Sequence, residues 1–305
     1  MINRRRVISI IASAAALPIS AAALPLVGVR ASNNVRQWKG IALGANAQII
    51  LDHPKADSLI KIALSEINRL EKIFSLFDNK SQISILNKTG ELRDPAFELS
   101  ELLSISSIIH RRTNGAFDPS VQPLWALYAS SYARGNAPTK AEIALAKNIS
   151  GWENISYNSS QISFKKQGAA ITLNGIAQGY IGDKIRELFV RNGVSNVLIN
   201  TGEIFALGKS PEQQNWQVKI ANSEKSISLN NMAIATSATF GTVFDKDNRV
   251  SHIIDARTGQ AANKPRQISV IAKSAAIADG LSTGFSLMSK EQIVNSINDE
   301  QVIFS

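Results

Sequence analysis

The sequence predicts an α+β fold: a largely antiparallel mixed sheet, or sheets, with flanking helices. Three observations lead there. Helical and strand patterns alternate without the regular βαβ spacing of a parallel sheet. The last third is dense in short strand patterns, "WQVKIAN", "SISLNNMAIATS", "HIIDART" and "QISVIAK". A composition of 44% hydrophobic and 19% charged residues over 305 residues is that of a chain able to bury a core.

Taken in order, "IALGANAQIILDHP" alternates as a strand and stops at Pro54. "ADSLIKIALSEINRLEKIFSLF" places Ile60, Leu64, Ile67, Leu70 and Phe74 on one helical stripe. "AFELSELLSISSIIHRRT" is a second amphipathic helix, ended by the turn "TNGAFDPS" with Asn114, Gly115 and Pro119. A third helix is expected around "KAEIALAKN". In "GWENISYNSSQISFKKQGAAITLNG" the polar "NSS" joins two short strands as a hairpin. "GYIGDKIRELFVRNG" reads as a helix closed by its last glycine. "VSNVLINTGEIFALG" reads as two strands joined through Gly202, and "ADGLSTG" as a final helix. No internal repeat, low-complexity linker or domain boundary is visible after residue 40.

The first residues read as an address. "NRRRVIS" followed by the Ala-rich apolar "IIASAAALPISAAALPLVGV" resembles a twin-arginine export signal over residues 1–31, with a cut after Ala31 in "VRA". Residues 32–305 then form one domain, expected in the periplasm. Residues 7–29 are nearly long enough to span a bilayer, so an uncleaved signal would serve as an anchor; Pro18, Pro25 and the alanines favour cleavage. The formal charge is +9, but residues 1–31 hold four arginines and no acid. The remaining surplus is mild, and no basic run interleaved with aromatics appears, which argues against a nucleic-acid partner. The chain has no cysteine, which excludes a disulfide framework, a thiolate metal site and a cysteine nucleophile.

In "AIADGLSTG", Asp279 has Ser282 and Thr283 at i+3 and i+4, neighbours on a helix surface. This is either an ordinary polar face or an oxygen-rich half-site for a hard cation such as Mg²⁺. Four other stretches set polar groups among glycines and turns: "TNGAFDPS", "LNGIAQGY", "IATSATFG" and "SHIIDARTG". Each has a structural reading as well. Gly175 and Gly179 can relieve sterics at a turn, Asp118 can start a turn before Pro119, and His252 can be a hydrogen-bonded core histidine. A nucleotide site explains them together. Glycines just ahead of a helix let backbone N–H groups meet phosphate oxygens, although the spacing is neither a dinucleotide fingerprint nor a Walker A loop. Thr236, Ser237 and Thr239 offer hydroxyls, and Phe77 or Phe117 an aromatic cover.

The order of the pieces resembles the ApbE family, the FAD:protein FMN transferases. "LGANAQI", "FSLFDNKSQISILN", "TNGAFDPSVQPLW", "LNGIAQGYIGD", "AIATSATF", "HIIDARTG" and "AIADGLSTG" are similar to seven family motifs in sequence, over roughly residues 40–305. The resemblance implies FAD as substrate and Mg²⁺ on its pyrophosphate. FMN passes to a threonine of a partner protein and AMP is released. It implies Asp279 and Thr283 as metal ligands with the Gly175 carbonyl, and Ser282 as an extra oxygen. Leu43, Phe77, Ala116, Phe117 and Asp118 would line the flavin pocket, and Thr172, Gln178, Thr236, Ser237 and His252 would complete the nucleotide contacts. Asp279, His252 and Asp118 are the catalytic candidates; the proton acceptor stays open among Asp118, Asp255 and His252, because a metal ligand is a poor base. The implied acceptor is a periplasm-facing flavoprotein, membrane-bound or soluble.

The chain departs from the family at Thr172, where the motif has an acid, and at Gln178, where it has a lysine. Ala45 and Ala256 replace a threonine and a proline. "LNGIAQGY" and "NTGEI" resemble the branch linked to nitrous-oxide respiration. These departures leave two rivals in play: a non-catalytic FAD-binding protein, and a Mg²⁺-dependent FAD pyrophosphatase.

Overall fold

The computed structural model describes residues 34–42, 45–220 and 226–305. The expected export signal and Leu43 lie outside the described residues. One seven-stranded sheet contains β1 (Val35–Ala42), β2 (Ala45–Asp52), β3 (Val197–Asn200), β4 (Ile204–Leu207), β5 (Met232–Ala238), β6 (Gln267–Ala272) and β7 (Gln301–Phe304). Order across the sheet is order along the chain, and every neighbouring pair is antiparallel. The helices are α1 (Ala56–Phe74), α2 (Gln82–Thr89), α3 (Phe97–Arg112), α4 (Gln122–Ala133), α5 (Lys140–Ile149), α6 (Ala177–Arg191), α7 (Ala275–Phe285) and α8 (Lys290–Val294). The α+β expectation holds.

Strand alternation divides the core. Ala47, Ile49 and Leu51 of β2 pack on one face with Leu70 of α1, Ile185 of α6 and Leu281 of α7. Ile50 points the other way, toward Leu198 and the hairpin residues Trp216 and Val218. The α1 stripe is buried as its spacing implies, with Leu64 half-buried. Gly193 follows α6 at φ +79°, the left-handed conformation that ends a helix.

Three local expectations change. "SISLNNMAIATS" is two strands, Ser226–Leu229 and β5, separated where Asn231 adopts φ +55°. In "HIIDART" only Ile254–Asp255 is strand, paired with Gln260–Ala261. Helices α2, α4 and α8 were unforeseen; α4 packs Leu124, Tyr128 and Ala129 against Phe244 in a small apolar cluster of its own. Among the described residues no helix is long and apolar enough to cross a membrane.

Candidate active site

Helices α6 and α7 meet backbone to backbone at Gly179. A Cβ there would overlap the Ala275 carbonyl oxygen and crowd the Ala276 Cα, so glycine alone allows the approach. The Gly179 N–H, in the first turn of α6, has no acceptor within its own helix. It donates to Asp279 Oδ2 at 3.1 Å. Asp279 is only 4% exposed, and burial pushes its carboxyl up to about 7 against that hydrogen bond. One turn later on α7, Thr283 Oγ1 stands 3.4 Å from the Gly175 carbonyl and 3.3 Å from Ser237 Oγ.

The loop that presents Gly175 is held from two sides. Asn87 of α2 donates to the Ile171 carbonyl and accepts the Ile171 N–H, both at 2.8 Å. The Thr172 N–H donates to the Pro119 carbonyl at 2.8 Å. The loop therefore closes one side of a cleft whose other walls are the 116–119 turn, β5 and the segment after Ser251.

The cleft is acidic. Asp118, Glu203 and Asp279 line it, and none of its described lining residues is lysine or arginine. Glu203 Oε2 accepts the Thr236 N–H at 3.2 Å, and burial, then the charge of Asp279, raises its pKa well above the usual range. His252 Nδ1 lies 2.8 Å from the Thr242 carbonyl, which makes Nδ1 the donor and leaves the lone pair on Nε2. Enclosure lowers its pKa to about 4, so the imidazole is neutral at pH 7. The Asp118 carboxylate accepts the Ser120 N–H at 2.8 Å as the cap of a short 3₁₀ turn, and it sits 3.8 Å from His110 Nδ1. Burial raises its pKa.

A carboxylate, a hydroxyl and a carbonyl converging in a site without cationic side chains suit a hard divalent cation. Buried charge of one sign is stable when paired or metal-bound. The donor set therefore fits Mg²⁺.

The ApbE family model matches residues 43–304. The chain belongs to the ApbE family. Among its relatives, the FAD:protein FMN transferase of Vibrio cholerae is 29% identical over 255 residues, 78% of this chain and 76% of that protein. The protein of the same name from Klebsiella pneumoniae is 25% identical over 268 residues, 82% of this chain and 77% of the relative. Of solved structures, the flavin transferase ApbE of Vibrio cholerae superposes with a TM-score of 0.78 at 23% identity, covering 88% of this chain and 93% of that one. The ApbE protein of Thermotoga maritima gives 0.79 at 24% identity, with 88% and 94% covered. The fold is thus the ApbE fold.

Most residues singled out by the ApbE motifs face this one cleft. Ala116, Phe117 and Asp118 come from the turn after α3, Thr172, Gly175 and Gln178 from the loop and start of α6. Thr236 and Ser237 come from β5, His252 from the following segment, and Asp279 and Thr283 from α7. Phe77 is not among the lining residues and is 52% exposed. Ser282 is fully buried behind the cleft, its hydroxyl 2.7 Å from Ser237 Oγ and 3.0 Å from the Asp279 carbonyl. It braces the turn that carries Asp279 and Thr283 and does not face the cleft. Asp255 is engaged by Arg257 through two guanidinium bonds of 2.8 and 2.7 Å and its backbone N–H at 2.9 Å, and does not line the cleft.

Glu203 and Trp125 are among the lining residues that the motifs did not single out. Glu203 lay in the quoted "NTGEI", and no local pattern there marked it as a cleft residue. Trp125 lay in "VQPLW"; its indole stands edge-on to Phe244 at 5.3 Å, presenting a fixed aromatic surface. Gln178, at the family's lysine position, lies against the Gly202 backbone, where a Cβ would collide with its amide.

Proposed function

We propose that this chain transfers FMN from FAD to a threonine hydroxyl of a partner protein, releasing AMP, with Mg²⁺ held by Asp279, Thr283 and the Gly175 carbonyl. The carrying observation is the convergence of those oxygens in a cleft that has three acids and, among its described lining residues, no lysine or arginine. The names of the ApbE relatives support the same reaction. When bound, the cation supplies positive charge to the pyrophosphate.

The protein's own groups do the rest. His252 Nε2 accepts the threonine proton as the Oγ–P bond forms; the P–O bond to AMP breaks, and its electron pair leaves on the AMP phosphate oxygen. Enclosure keeps His252 neutral at pH 7, so Nε2 holds its lone pair free for that proton. The capped Asp118 turn and the braced Trp125 indole hold the walls against the flavin dinucleotide. On the character of residues 1–31 we place the protein in the periplasm, exported by the twin-arginine route, with a periplasm-facing flavoprotein as acceptor.

Incubation with FAD, Mg²⁺ and a threonine-bearing acceptor domain, with AMP and flavin species separated by chromatography, tests this. Equal amounts of AMP and acceptor-bound flavin are expected. AMP with only free FMN would make it a pyrophosphatase, and bound FAD without turnover a binding protein.

A further inference from the structure

Asp183 lies one turn beyond Gly179 on α6, and its carboxylate is engaged at the start of α7. Oδ1 accepts the Ala275 N–H at 3.0 Å. Oδ2 accepts the Ala276 N–H at 3.0 Å and the Ser274 hydroxyl at 2.7 Å. Ser274 in turn caps α7 by accepting the Ile277 N–H at 3.2 Å. Amides that an isolated helix leaves unpaired are thus satisfied by another helix.

The relation is reciprocal. Asp279, one turn beyond Ala275, accepts the Gly179 N–H. Each helix sends a carboxylate from its second turn to a first-turn amide of the other, and the glycine lets the backbones touch between them. Residues i and i+4 share a helix face, so 179, 183, 275 and 279 form a closed four-point contact. Asp183 is 7% exposed, and burial raises its pKa despite three donors. A buried carboxylate is a poor choice where packing alone is wanted, because apolar contacts serve as well or better. This contact has a further consequence: the Gly175 loop leads into α6, while α7 carries Asp279 and Thr283.

We propose that Asp183 is a positioning residue for the divalent cation: by locking the start of α7 onto α6 it sets the spacing of the Gly175 carbonyl against Asp279 and Thr283. This rests on the metal assignment made under the proposed function. Mg²⁺ tolerates little departure from octahedral geometry, so a slip between the helices weakens binding directly.

The test is Mn²⁺ binding followed by electron paramagnetic resonance on the purified protein, which needs no acceptor and no turnover. Asp183→Asn keeps the volume but turns an amide toward three donors, and is expected to weaken Mn²⁺ about tenfold or more. Ser274→Ala removes one of the three bonds to Asp183 together with the Ile277 cap, and is expected to weaken Mn²⁺ about threefold. Thr139→Ala, which breaks the distant capping box of α5, should lower the melting temperature and leave Mn²⁺ affinity alone. Folded Asp183→Asn and Ser274→Ala proteins with parental Mn²⁺ affinity would overturn the proposal. If Asp183→Asn does not fold, Ser274→Ala decides. If the parent itself binds no Mn²⁺, the metal assignment falls and this role with it. Mn²⁺ bound as expected without FMN transfer would sink the transferase reading and leave the Asp183 role standing.

Discussion

The N–H of Gly179 donates to the carboxylate of Asp279 at 3.1 Å across one hundred residues of chain. That bond ties the glycine loop ahead of α6 to the helix that carries Asp279 and Thr283, the proposed cation ligands. It also fixes one oxygen of Asp279 and so orients the other. The glycine, the carboxylate and the helix crossing are one unit, and each part can be tested separately.

Gly179→Ala should drive α6 and α7 apart, because the new methyl group meets backbone that cannot rotate away. We expect a loss of about 3 kcal/mol in urea unfolding. A variant as stable as the parent would mean that the backbones do not touch as described.

Asp279→Asn keeps the shape and can still accept the Gly179 N–H, so the fold should survive. Metal-dependent turnover should fall about 100-fold or more, with FAD binding in the absence of metal little changed. Equilibrium dialysis with Mg²⁺ and a turnover assay check both halves.

His252→Gln should lower kcat about 100-fold or more, the usual scale for a lost general base, with a small change in FAD affinity. The same residue sets a pH dependence of stability. Its pKa is about 4 in the folded chain against 6.5 for a free histidine, so between those values the unfolded chain binds the extra proton. The histidine's contribution is therefore complete above pH 6.5 and is lost as pH falls toward 4, by up to about 3 kcal/mol. Urea unfolding of parent and variant at pH 7.5 and pH 5 should show the parent losing more.

Asn87→Ala leaves the buried N–H and carbonyl of Ile171 without their side-chain partner. We expect about 2 kcal/mol of lost stability. The released loop should also raise KM for FAD more than it lowers kcat, which separates it from His252→Gln.

What could be read before the structure follows from the range of each interaction. Helix α1 announces itself because Ile60, Ile67, Leu70 and Phe74 repeat at helical spacing against a polar background. Helix α4 does not: Leu124, Trp125, Leu127 and Tyr128 leave no polar face, and a pattern without contrast carries no period. The break at Asn230–Asn231 was hidden because both flanks are good strand sequence, and the turn depends on one asparagine adopting a left-handed conformation.

The site shows the same division. Asp279 and Thr283 share a face by spacing alone. Ser282 was grouped with them, yet adjacent helical residues are about 100° apart, so when Thr283 turns to the cleft Ser282 turns to the core. The bonds from Gly179 to Asp279 and from Ala275 to Asp183 depend on how two helices cross, and no local pattern encodes that. Glu203 became visible as a cleft residue only once β3 and β4 were folded beside β5.

The most direct measurement is flavin fluorescence of the acceptor domain on a denaturing gel, after incubation with FAD and this protein in Mg²⁺ or in EDTA. A fluorescent acceptor band in Mg²⁺, absent in EDTA and absent with Asp279→Asn, is the expected result. Labelling that persists in EDTA, or with Asp279→Asn in place, would contradict the cation site at the centre of this account.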